Sequence, residues 1–321
     1  MNQPPCASPL SAVDTLDAVT GADGRIDLTA VKLIVPEDPY QRAHFPGRPV
    51  YPGVFVLETV CQAVLAAIDQ SPVPVLTTVT SLRFFRPMVP GDRLRAAVVV
   101  GPPGADRERR VTASCRSDDG TETARMALTF GVRYAGVGPD AATAAGPGPE
   151  RGRTLGYEQI RAILPHGPQM VLVDQAEVSG DGRTLRAVKA VSGTEPCYQH
   201  LPASLPRERF AYPLSLIIES FGQAAAVLWR AGAGPPQGHL LMFAAARNWH
   251  FEGPVYPGDV LRHDVTMENS IASTGFASGL IWAGDRRVAT VGSVIAVLRP
   301  DGGPGSATSP EPVAAHVQPG S

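Results

Sequence analysis

The sequence predicts an α+β chain made of two like halves, each an antiparallel sheet wrapped on one long buried helix. Three observations carry that expectation. The same order of short motifs occurs twice along the 321 residues. One apolar segment of helical length stands in each half. Downstream of each such segment the pattern changes to β-rich runs with partial alternation.

The repetition comes first because it fixes the organisation. Pro9-Leu10-Ser11-Ala12-Val13-Asp14 is echoed by Pro168-Gln169-Met170-Val171-Leu172-Val173-Asp174. Each is followed by a turn signal, Gly21–Arg25 or Gly180–Arg183, then by Ala-Val-Lys at 30–32 and 187–189 and Tyr-Gln at 40–41 and 198–199. Tyr51-Pro52-Gly53-Val54-Phe55-Val56-Leu57-Glu58 is matched by Tyr212-Pro213-Leu214-Ser215-Leu216-Ile217-Ile218-Glu219, and Pro87…Pro90-Gly91-Asp92 by Pro254…Pro257-Gly258-Asp259. The chain reads as a tandem duplication. Residues 136–153 are Gly/Ala/Pro-rich and aperiodic, the composition of a linker, and 300–321 read as a disordered tail. The domains therefore run over 9–135 and 154–299.

Within them, residues 54–68 and 216–229 are apolar almost all round and begin just after Pro52 and Pro213, which suits a helix entry. Strands are expected at 94–101, 109–116 and 124–134 in the first half, and at 261–271, 275–282 and 287–298 in the second.

Composition excludes several classes. Lys+Arg of 28 against Asp+Glu of 30 gives a net charge of −2, so there is no global field to draw the chain onto nucleic acid or anionic lipid. No apolar run approaches the ~20 residues of a bilayer span, and residues 1–10 do not read as a signal peptide, so the expectation is a soluble, cytoplasmic protein. Cys6, Cys61, Cys115 and Cys197 have neither CxxC nor Cys/His spacing, and no metal site is implied.

Both expected helices carry a carboxylate among apolar residues, Glu58 and Glu219. Burial there would raise the carboxyl toward its neutral form, as suits a general acid. One helical turn on, Gln62 and Gln223 are placed to orient it. A histidine, His44, precedes the first helix, and a fixed, desolvated imidazole can act as a general base.

The segment HFPGRPVYPGVFVLETVCQ, with His44 and Glu58 14 residues apart, and the later Arg86-Pro87…Pro90-Gly91-Asp92 together resemble the (3R)-hydroxyacyl-acyl-carrier-protein dehydratases of bacterial fatty-acid synthesis. The second half resembles the same family through Ile163-Leu164-Pro165-His166, Val171-Leu172-Val173-Asp174 and Pro254…Pro257-Gly258-Asp259. The resemblance implies the hotdog fold, here a double hotdog as in polyketide synthase dehydratase domains.

Departures from the pattern matter too. Aligning Pro213 with Pro52 puts Leu205 where His44 stands and Leu214 where Gly53 stands, while His200 lies five residues upstream of that position. His166 falls, by the family pattern, in a structural segment. The resemblance implies a site between the halves, with His44 as base, Glu219 as acid, Gln223 orienting it, and the Gly53 N–H as oxyanion donor. Glu58, Gln62 and Leu205 form a degenerate second site without a base.

The implied reaction is dehydration of a 3-hydroxyacyl thioester to the trans-2-enoyl thioester. It needs no cofactor, because the thioester acidifies the C2 proton. The implied partner is an acyl carrier protein, with Arg42, Arg48, Arg83 and Arg86 as candidate contacts, and the chain is a monomeric pseudo-dimer or a higher homo-oligomer. Rival readings are a non-catalytic acyl-binding hotdog partner, an acyl-thioester hydrolase, and a dehydratase that also isomerises the double bond.

Overall fold

Helices α2 (Gly53–Ala67) and α4 (Leu214–Ala231) occupy the two all-round apolar segments. Each begins behind an extended proline, Pro52 at ψ 130° or Pro213 at ψ 129°, whose missing N–H would have no partner at a helix start anyway. Val54, Phe55, Leu57, Val60 and Val64 of α2, and Leu216, Ile217, Ile218, Phe221 and Leu228 of α4, are buried to 1% exposure or less. Fully burying each such side chain contributes about 1.5–3 kcal/mol. The stretch Arg207–Ala231 is long and apolar enough to cross a bilayer by composition alone, against the sequence expectation. It is instead a core helix, 78% buried within the fold.

The computed structural model describes residues 6–36, 38–68, 72–104, 106–132, 152–232 and 239–300. The expected tail beyond residue 300, and all but the last two residues of the expected linker, lie outside the described residues.

Strands β1 (Thr15–Thr20), β2 (Ile26–Leu33), β3 (Val75–Phe84), β4 (Arg93–Val100), β5 (Arg109–Arg116) and β6 (Glu122–Gly131) surround α2. A short helix, α1 (Pro39–His44), enters the turn before α2. The second half repeats the plan with β7 (Arg153–Leu155), α3 (Tyr157–Ile163), β8 (Gln175–Val178), β9 (Thr184–Ala190), β10 (His239–Phe251), β11 (Val260–Ile271), β12 (Thr274–Ala283) and β13 (Arg286–Pro300). Their order, β1-β2-β4-β5-β6-β3-β10-β13-β12-β11-β9-β8-β7, forms one sheet. The fold is thus α+β, two hotdog halves whose strands merge into a single large antiparallel sheet. The join is β3 against β10, with Val79 opposite Trp249 and Leu82 opposite Ala246.

The repeated motifs are explained by equivalent hydrogen bonds. Asp14 accepts the amide of Leu33, and Asp174 accepts that of Ala190, each at 2.6 Å, so the aspartate after the first motif pins the end of the following strand. In the Pro-Gly-Asp turns, Gly91 (φ 95°) and Gly258 (φ 96°) take the left-handed conformation that favours glycine. Their amides donate to Ile34 and Val191, each at 2.9 Å. Just upstream, the carbonyls of Met88 and Val255 accept from Tyr51 and Tyr212, each at 2.7 Å, fixing where α2 and α4 begin.

Trp249 sits at the join, fully buried, edge-on to Phe221 and donating its Nε1–H to the Ser293 carbonyl at 3.2 Å. Trp249→Ala should therefore lower stability by about 3–5 kcal/mol in urea unfolding followed by circular dichroism. A loss below 1 kcal/mol would mean that the join does not depend on this residue.

Candidate active site

The amide side chain of Gln223 ties α4 to the loop after α3. Its Oε1 accepts the Leu172 amide at 2.8 Å, and its Nε2 donates to the Met170 carbonyl at 2.8 Å and to Glu219 Oε1 at 3.0 Å. Glu219 is 8% exposed and Gln223 2%, so the carboxyl is held in one orientation out of water. The i, i+4 spacing gives that geometry directly.

His44 ends α1, and its Nδ1 lies 3.0 Å from the Val50 carbonyl. That bond assigns the proton to Nδ1 and leaves Nε2 as the basic nitrogen. Burial first, then the neighbouring His166, depress the imidazole to about 4, although Glu219 and the Val50 carbonyl act the other way. His44 is accordingly a neutral base at ordinary pH. The site it faces is shared between the halves: His44, His166 and Glu219 bring one nitrogen or oxygen each to within 4.8 Å of one another.

His166 corrects the sequence expectation. The family pattern puts it in a structural segment, but its Nε2 lies 3.4 Å from Glu219 Oε1, and its ring centroid lies 5.3 Å from that of His44. The backbone brings it there, because the Gly167 amide donates to the Ala43 carbonyl at 2.6 Å. The approach is close: a Cβ on Gly167 would stand 3.1 Å from Pro46 Cγ and 3.3 Å from Ala43 Cα. The signal in the sequence was an asymmetry, since Leu164-Pro165-His166 has no histidine counterpart in the first half.

The Glu219 carboxyl also departs from expectation. Burial raises it, but His166, His44 and the Gln223 amide together outweigh burial and hold it below its ordinary range.

Around Glu58 the same frame carries different chemistry. Gln62 accepts the Ala12 amide at 2.9 Å and donates to Leu10 O at 3.0 Å and Glu58 Oε1 at 2.9 Å. Leu10 and Ala12 thus match Met170 and Leu172. The Ala7 amide bonds the Arg209 carbonyl at 2.8 Å, as Gly167 bonds Ala43. Cys6 therefore takes the station of His166, and Phe210, not Leu205, the station of His44. Leu205 sits in the bend before the 3-10 turn Arg207–Phe210, because the second half runs from that station to its helix in fewer residues. His200 is exposed. Glu58 accepts from Ser215 Oγ at 2.7 Å, and burial raises its carboxyl as the sequence led one to expect.

Gly53 opens α2, and a Cβ there would stand 2.9 Å from the Phe84 ring, so the backbone approaches that ring as only glycine can. Of the arginines, Arg42 lines a cleft of about 300 Å³ with Ala43, Pro46 and Gly167. Arg48 is half-buried beyond His44. Arg83 lies over the Phe85 ring at 5.7 Å, and Arg86 pairs with Asp119 at 3.0 Å.

Comparison with known proteins agrees with this architecture. A family model described as a FabA-like domain matches residues 6–118 and 164–292. The 3-hydroxyacyl-acyl-carrier-protein dehydratases FabZ of Aeromonas hydrophila and Escherichia coli K12 are each 38% identical, over 118 residues (35% of this chain, 74% of the relative) and 119 residues (36% and 76%) respectively. Among solved structures, the dehydratase domain from the CurJ module of curacin polyketide synthase superposes with a TM-score of 0.61 at 10% identity, covering 90% of this chain and 96% of that one. The PpsC dehydratase domain of Mycobacterium tuberculosis, in complex with C12:1-CoA, gives 0.57 at 15% identity, covering 90% and 98%.

Two buried histidines also set an acid limit on stability. Burial depresses His44 to about 4 and His263, whose Nε2 lies 3.0 Å from Ser220 Oγ, to about 3. Below the ordinary value of 6.5 the unfolded chain binds the proton and the folded chain does not, so stability falls with pH. By pH 5 the loss is about 2 kcal/mol per histidine. Urea midpoints at pH 7 and pH 5 should show that drop, smaller in His263→Leu; an equal drop in the variant would remove His263 from the account.

Proposed function

The chain belongs to the FabA-like family, and on that premise we propose that it removes water from a carrier-bound 3-hydroxyacyl thioester to give the trans-2-enoyl thioester. The observation that carries the reading is the convergence of His44 and Glu219, from opposite halves, within one buried site. Each is held in one orientation by its neighbours. The imidazole is kept neutral, with Nδ1 committed to Val50, and the carboxyl is oriented by Gln223.

In the reaction, which runs through the form that carries a proton on Glu219, His44 Nε2 takes the C2 proton, the C2–H electrons form the C2=C3 bond, and the C3–O bond breaks as Glu219 Oε protonates the departing hydroxyl. Negative charge developing on the thioester oxygen needs a fixed donor. The amide of Gly53, in the first turn of α2, has no partner within its own helix and supplies one. The thioester provides the C2 acidity, so the side chains suffice for the chemistry.

Two carboxylates with the same Gln partner make the assignment testable within one chain. His44→Ala and Glu219→Gln should each lower turnover by about 10²-fold or more, measured as enoyl-thioester formation. Glu58→Gln should leave it largely intact, because among the described residues no histidine faces that carboxyl. Loss of activity in folded Glu58→Gln equal to that in Glu219→Gln would overturn the assignment.

An acidic carrier protein would approach beside the cleft lined by Arg42, with Arg48, Arg83 and Arg86 contributing charge. Arg42→Glu should raise KM for the carrier-bound substrate and spare a small thioester mimic. Arg86→Glu should do less, since Asp119 already compensates that charge. Equal effects of Arg42→Glu on both substrates would count against the carrier surface.

A further inference from the structure

The duplication gives this chain an internal control. Glu58 and Glu219 sit at the same place on equivalent helices, each held by a glutamine that bridges to an equivalent loop. The two surroundings differ at two stations, Cys6 against His166 and Phe210 against His44. Beside Cys6 and Ser215 the carboxyl is raised by burial; beside His166 and His44 it is lowered despite burial.

The imidazole itself is unusual. The His166 side chain is only 8% exposed and its Nδ1 is buried without a hydrogen-bond partner, while Nε2 faces the carboxylate. A general acid must hold a proton at rest, and a buried carboxylate next to a second base can share one with it.

Resting on the dehydratase reading, we propose that His166 is the positioning residue that stores the proton Glu219 delivers: at rest one proton is shared between His166 Nε2 and Glu219 Oε1. As the C3–O bond breaks, that proton passes through Glu219 to the leaving hydroxyl, and the proton from C2 stands on His44 Nε2. The cycle closes when His44 returns it to the pair, which needs no further reactant. The titratable groups against His166 are Glu219 from α4 and His44 from α1, while Arg42 of α1 is exposed and lines the cleft beside Gly167. On α3, Arg161 and Glu158 are exposed and pair with each other at 3.2 Å.

Sharing a proton between two bases can only raise the pH at which it is lost. In His166→Gln the alkaline limb of the kcat profile should therefore move down by about one pH unit or more, about a tenfold loss of kcat on that limb. The acid limb should move up, because a positive His166 no longer depresses His44. A structural lesion would scale the bell without narrowing it, so unmoved limbs would overturn the proposal. A second measurement does not depend on turnover or on that variant folding. In ¹⁵N-histidine spectra of the wild-type chain at pH 7.5, the His166 ring should carry imidazolium character that disappears in Glu219→Gln. A neutral, uncoupled His166 ring in both would refute proton sharing, whereas inactivity of the wild-type chain on every 3-hydroxyacyl thioester would refute only the dehydratase reading.

Discussion

A single backbone hydrogen bond, Gly167 N–H to Ala43 O, holds the site together. It joins the loop of the second half to the last turn of α1 in the first, so residue 166 and residue 44 come to the same carboxylate. The approach is tight, because a Cβ on residue 167 would stand 3.1 Å from Pro46 Cγ and 3.3 Å from Ala43 Cα. Gln223 completes the frame by binding the same loop three and five residues further on and holding Glu219 with its remaining hydrogen. His44, Glu219 and His166 thus depend on two short connections between elements distant in sequence.

The other half has the same connections and no base. Ala7 bonds Arg209, and Gln62 bonds Leu10 and Ala12, so the scaffold of a second site is intact. What fills it is Cys6, Phe210 and the hydroxyl of Ser215, a set that satisfies Glu58 without offering a proton acceptor of histidine's strength. Symmetry of the backbone and asymmetry of the chemistry are therefore separable. The frame stabilises both halves, whereas one interface alone buries two histidines that would otherwise be charged below neutral pH, which costs stability.

Much of this was legible in the sequence. The two core helices, the strands with alternating burial such as β4 and β5, and the duplicated Pro-Gly-Asp turns follow from periodicity and turn chemistry. The strands at the join were not legible. In β10, residues such as Leu240–Phe243 are half-buried on both faces, and β3 mixes Thr, Ser and Arg with apolar residues, so neither alternates cleanly. Glu219 and Gln223 stand one helical turn apart and so pair in local spacing, whereas His44 is far from both in the chain and its pairing with Glu219 is what the family resemblance implies. His166 could not be assigned by spacing, since its partners are 53 residues later and 122 earlier in the chain and only the fold brings them together. Counting back from Pro213 points to Leu205 as the station opposite His44, whereas the shorter loop of the second half puts Phe210 there.

The pKa of Glu219 carries the same lesson. Burial alone argues for a raised carboxyl, and at Glu58 it prevails; at Glu219 the second histidine, unseen in local spacing, reverses the sign. The central claim is that this cross-half pair expels water. It is tested most directly by incubating the wild-type chain with a carrier protein bearing a 3-hydroxyacyl group and following the carrier by mass spectrometry. The account predicts loss of one water with the thioester intact. An unchanged carrier, or release of the acyl group as a free acid, would contradict it.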